Sequence, residues 1–102
     1  PAEMAMHLTL KDIWLNYSID KQVAIDPLMS GDTLIVKDSE CFNSKNQSIL
    51  KFSNFCKESI NNIVQQGYIL KSAKVNFTVY WTSEETKKEI KLVLPELYFR
   101  RE

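Results

Sequence analysis

The chain has 102 residues, 44% of them hydrophobic, and its 13 basic and 13 acidic side chains cancel to a net charge of zero. That is one domain, long enough to bury a core without staples, and it lacks the overall field that draws proteins to nucleic acid or anionic membrane. One histidine, two cysteines and two glycines exclude a multi-histidine metal site, a disulfide framework and a glycine-rich phosphate loop.

The opening "PAEMAM" has two methionines in quick succession. Residues 1–5 read as a vector-derived leader, and the single domain is expected over residues 6–102. The next stretch is β-like. Met6, Leu8 and Leu10 alternate in one phase, Ile13, Leu15, Tyr17 and Ile19 in the other, and the change of phase marks a bulge or break. A turn at Asp20–Gln22 would set Tyr17 opposite Ile25. Pro27 ends that strand, Ser30-Gly31-Asp32 turns the chain, and residues 33–36 form another. All five aspartates lie in the first 38 residues. Asp12, Asp26, Asp32 and Asp38 are candidates for carboxylate chemistry, but turn chemistry accounts for them better.

Residues 45–66 read as a long helix. Ser44 and Gln47 have capping-box spacing, and Gly67 suits the position just past the C-terminus. Ile49, Phe52, Cys56, Ile60, Ile63 and Val64 fall on one arc, which Leu50 and Phe55 widen on either side. So wide an apolar surface exceeds what one sheet covers, and loops over its flanks account for it better than a partner does.

Val75, Phe77, Val79 and Trp81 alternate with polar residues, and Ile90, Leu92 and Leu94 answer them beyond an acidic turn. Closing that turn at Thr82 and Lys87 sets Val79 against Ile90, Phe77 against Leu92 and Val75 against Leu94, a hairpin with one apolar face. The tail "PELYFRRE" then places aromatic residues beside arginines, a composition typical of interface hot spots, although an edge strand that buries Leu97 and Phe99 and exposes Tyr98 and the arginines accounts for it better. Trp14 falls in the polar phase of its strand and is a second exposed aromatic.

The fold expected is α+β: an antiparallel sheet of about five strands with one long helix across one face, in the order β-β-β-α-β-β. No run reaches membrane-spanning length and no leader anatomy precedes the domain, so a cytoplasmic protein without membrane contact is expected. No cofactor, metal or catalytic set is expected. The function expected is a non-catalytic protein-binding module, an adaptor, an inhibitor or immunity-type protein or an accessory protein, binding a protein partner or itself as a homodimer. Its contact residues are Trp14, Leu50, Phe55, Tyr98, Phe99 and Arg100. One alternative is a nucleic-acid-binding accessory protein using Lys71, Lys74, Lys87, Lys88, Lys91, Arg100 and Arg101. Another is a small ligand-binding domain or enzyme with a pocket lined by Phe52, Phe55, Phe77 and Trp81.

Overall fold

A computed structural model of the chain describes residues 1–101. It is α+β, with six strands in one antiparallel sheet that curls into a half-barrel, and two helices. In chain order these are β1 (Glu3–His7), 3₁₀ segments at Leu10–Asp12 and Leu15–Lys21, and α1 (Gln22–Ile25). Then follow β2 (Thr33–Lys37), β3 (Glu40–Phe42), β4 (Ser48–Lys51), α2 (Asn54–Gln65), β5 (Tyr68–Thr82) and β6 (Glu89–Arg101). The sheet order is β1-β6-β5-β2-β3-β4. Among the described residues, no helix is long and apolar enough to cross a membrane.

Four expectations change. Residues 1–5, set aside as a leader, contribute Glu3–Ala5 to a strand, Glu3–His7, paired with β6, and the Tyr68 hydroxyl donates to the Pro1 carbonyl at 2.7 Å. Residues 10–25, read as alternating strands, are instead 3₁₀ and α turns. They run between β4 and β6 and satisfy both with side chains. Ser18 Oγ donates to the Ile49 carbonyl at 2.9 Å, and the Gln22 amide bonds both the N–H and the C=O of Lys91. One side-chain amide thereby replaces a neighbouring strand.

The helix expected over 45–66 begins nine residues later. Asp38 and Ser39 both take positive φ, 52° and 65°, between Lys37 and Glu40, the geometry of a two-residue hairpin turn joining β2 to β3. Asn43 organises the next turn, its Oδ1 accepting from the N–H groups of Lys45 and Gln47. Ser44 and Gln47 therefore cap no helix. Ser53 does, accepting from Cys56 N–H while its own hydroxyl donates to the Lys11 carbonyl. Only Cys56, Ile60 and Ile63 carry the apolar stripe of α2 into the core. Leu50 lies on β4, so the very wide helical face is not formed. The far end is as expected: Gly67 follows the helix with φ at 96°.

The hairpin forms two residues out of the expected register. Trp81 faces Ile90, Val79 faces Leu92 and Phe77 faces Leu94, and a six-residue loop, Ser83 to Lys88, replaces the tight turn. A shift of two preserves which face each side chain occupies, so Phe77, Val79 and Trp81 share the expected apolar face with other partners than expected, while Val75 does not. The loop is held by Ser83, whose Oγ accepts from Thr86 N–H and whose N–H donates to the Lys88 carbonyl.

β6 pairs with β5 along its whole length without a bulge of its own, whereas β5 carries irregularities between Leu70 and Ser72 and between Val75 and Phe77. Opposed residues share a face. Since Phe77 faces Leu94 and Val75 faces Pro95, Val75 and Phe77 point to opposite sides despite their even spacing. The core accordingly changes sides along the ribbon. Near the tip Ile90, Leu92 and Leu94 are buried, and near the base Pro95, Leu97 and Phe99 are. At the tip, Trp81 lies beside Trp14, Leu15 and Asn16.

Candidate functional site

Because the core changes sides, one face of the β1–β6–β5 base is left outside. Cross-strand register places three rows there: His7–Glu96–Lys74, Ala5–Tyr98–Ser72 and Glu3–Arg100–Ile69. Glu96, Tyr98 and Arg100 alternate along β6 with the buried Leu97 and Phe99, as strand geometry requires.

The first two rows form one polar network. Glu96 Oε1 accepts from the Tyr98 hydroxyl and Oε2 meets His7 Nε2. Lys74 Nζ stands 3.8 Å from Glu96 Oε1 and 5.5 Å from the centre of the Tyr98 ring. The Tyr98 hydrogen bond, aided by the His7 and Lys74 charges, holds the Glu96 carboxyl below its ordinary range. Tyr98, and then Glu96, raise Lys74 above its own. An ionised, fully engaged carboxylate is a poor proton acceptor, and a lysine held protonated is a poor nucleophile. The network is built to hold shape and charge.

Beside it lies a recess of about 650 Å³, lined by Glu3, Ala5, Lys71, Ser72, Tyr98 and Arg100. Tyr98 is half-buried and Arg100 is exposed. Among the described residues, no side-chain partner holds the Arg100 guanidinium.

The six residues expected to make contacts do not come together. Tyr98 and Arg100 share the recess. Leu50 and Phe99, 0% and 2% exposed, are core on β4 and β6, so in the folded chain neither is available to a partner. Trp14 and Phe55 are 47% and 52% exposed but sit near the β4–α2 junction. There Trp14 N–H donates to the Lys51 carbonyl and Ser53 N–H to that of Asp12. Each ring already carries an ammonium: Lys51 lies 5.6 Å from Trp14 and Lys11 lies 4.9 Å from Phe55.

Sequence reasoning missed His7 and Glu96, and singled out Lys74 only as one of the basic residues of the nucleic-acid alternative. The available signal was the alternation Glu96, Tyr98, Arg100, but their partners come from strands far away in the chain. Lys91, by contrast, is internal: its Nζ donates to the Asp26 and Leu28 carbonyls, both at 2.8 Å. The other basic residues are spread out, with Lys87 and Lys88 by the tip loop, Lys71 and Arg100 at the base, and Arg101 stacked 4.5 Å from the Tyr68 ring centre. Phe52 is buried, while Phe55 and Phe77 are about half exposed.

Asp12 and Asp32 do turn work. Asp12 Oδ2 accepts from the Thr9 N–H and hydroxyl, and Asp32 Oδ2 accepts from Met29 N–H. Among the described residues, no three His, Cys, Asp or Glu side chains cluster as metal ligands. Cys41 and Cys56 are free and buried. Burial pushes both thiols up, Cys56 to about 12, so neither forms a thiolate at neutral pH. No protein-family model matches the chain, and neither a curated protein nor a solved structure matches it.

Proposed function

We propose that the chain is a non-catalytic protein-binding module whose working surface is the outer face of β1, β6 and β5. The observation that carries this reading is the recess at Tyr98, with an aromatic ring hydrogen-bonded to Glu96 and an arginine that has no side-chain partner among the described residues. A rigid aromatic beside a free guanidinium suits an extended acidic segment of another protein, whose carboxylate pairs with Arg100 while its backbone lies across the strands. Binding by association also suits the state of Glu96 and Lys74, which spend their charge on each other and on Tyr98. The nucleic-acid reading has less support, because the basic residues lie at both ends of the ribbon.

A photo-crosslinking residue at Ser72, inside the recess, tests this against the same residue at Tyr80, exposed elsewhere on the ribbon. In extract from the native host, a discrete adduct should form from position 72 alone and disappear with Arg100→Glu. Equal labelling from both positions, or none from position 72, overturns the reading.

A further inference from the structure

The half-barrel sheet has two edge strands, β4 and β1, and they are treated differently. The β4 edge is covered: Trp14 N–H and Ser18 Oγ both donate to its carbonyls at 2.9 Å, and Ile13 bridges Phe52 just beyond it. The stretch of β6 that extends past β1 is covered by Gln22. Among the described residues, nothing comparable covers β1. Arg101 N–H donates to the Ala2 carbonyl and Leu8 N–H to the Pro95 carbonyl, which fixes the phase of the ladder. Ala2, Met4, Met6 and Leu8 direct their backbone groups toward β6, so those of Glu3, Ala5 and His7 face away from it.

Exposed edges are usually blunted by lysine, proline, a bulge or an inward-pointing charge. β1, Glu3-Met4-Ala5-Met6-His7, has none of these. Its outward positions are instead self-complementary. Glu3 and His7 stand two residues either side of Ala5, on the same face. Two copies laid antiparallel about an axis at Ala5 place each Glu3 opposite the other copy's His7, acid against imidazole. The small alanine falls where the strands cross the axis.

We propose that β1 is a homodimerisation edge, with two copies pairing antiparallel through Glu3–His7 about a two-fold axis at Ala5. The pairing supplies about six backbone hydrogen bonds and continues the sheet from one copy into the next. Glu3 and Ala5 also line the recess, so the recesses of the two copies meet at the axis. A five-residue edge is a small interface, and the dimer it makes is a reversible, micromolar one.

Light scattering coupled to size exclusion, over a concentration series, tests this on the native chain, Ala5→Pro and Ala5→Cys. The Ala5 N–H faces away from β6, so proline there removes an outward donor and no bond to β6. The native mass should double as concentration rises, while Ala5→Pro stays monomeric with a melting temperature within a few degrees of the parent. If Ala5→Pro fails to fold, Ala5→Cys decides. In the proposed register its Cα atoms lie about 5.5 Å apart across the axis, within disulfide reach. Mild oxidation should cross-link it and leave Tyr80→Cys uncross-linked. A native chain that is monomeric at every concentration, a proline variant that dimerises like the parent, or equal cross-linking at position 80 overturns the proposal. These experiments read mass rather than partner capture, so this proposal and that for the recess fail separately.

Discussion

The tip and the base of the β5–β6 ribbon bury opposite sides of the same two strands. At the tip the even-numbered residues Ile90, Leu92 and Leu94 go inside. At the base the odd-numbered Pro95, Leu97 and Phe99 do. The two strands manage the crossover differently. β5 keeps its apolar residues evenly spaced, Ala73, Val75, Phe77, Val79 and Trp81, and inserts a bulge that turns Val75 and Phe77 to opposite sides. β6 keeps regular geometry and instead runs four buried residues together, Leu92 to Pro95. A continuous apolar run in an antiparallel strand thus marks the place where both faces are covered. The same crossover leaves Glu96, Tyr98 and Arg100 outside and so creates the candidate site.

The largest expected effect tests the crossover itself. Phe99→Ala should cost ~3–5 kcal/mol and Leu92→Ala ~2–5 kcal/mol in chemical denaturation, although the two have opposite parity on one strand. Arg100→Ala and Tyr80→Ala, the outward residues of base and tip, should each stay within ~0.5 kcal/mol. A strand buried on a single face throughout would give large losses at one parity only.

Gln22→Ala probes how the tip is closed. It strips both partners from the Lys91 backbone and should cost ~1–3 kcal/mol. Amide exchange at Lys91 should quicken while that at Leu97, paired with β1 and β5, changes little. Equal acceleration at both would mean that Gln22 supports the whole sheet.

A smaller pair of variants locates the start of α2, which packs on the base. Ser53→Ala should cost ~1 kcal/mol through loss of the cap, while Ser44→Ala should leave the denaturation midpoint unchanged. The reverse result would restore the longer helix.

The smallest effect is a titration. Glu96 has its folded pKa lowered, so the stability it contributes is present at neutral pH and is lost as pH falls through that folded value. Tyr98→Phe removes the largest cause of the shift. The Glu96 carboxyl, followed by carbon NMR, should then titrate at higher pH, and the acid loss should be smaller. An unchanged titration would show that His7 and Lys74 suffice to set it.

The sequence carried what depends on neighbours in the chain. The alternation around residues 75–94 specified a hairpin and which side chains share its tip face. Gly67 specified the end of a helix, and the Ser30–Asp32 turn delivered β2, although the strand that Pro27 was expected to end does not form. It failed where a local pattern had two solutions. Ile49 and Phe52 fit the stripe of a helix as well as they fit β4 and its bridge to Ile13. Two residues in left-handed conformation, Asp38 and Ser39, settled the matter by folding β3 back on β2. Residues 13–25 alternate like strands, yet they wind into turns because Ser18 and Gln22 there meet the open edges of β4 and β6. The site was least legible of all. Tyr98 and Arg100 stood out by composition, but His7, Lys74 and Glu96 are brought together only by pairing β1, β6 and β5 in one register. Which face of those strands meets solvent depends on a bulge at residue 76, some twenty residues away in the chain from the tail.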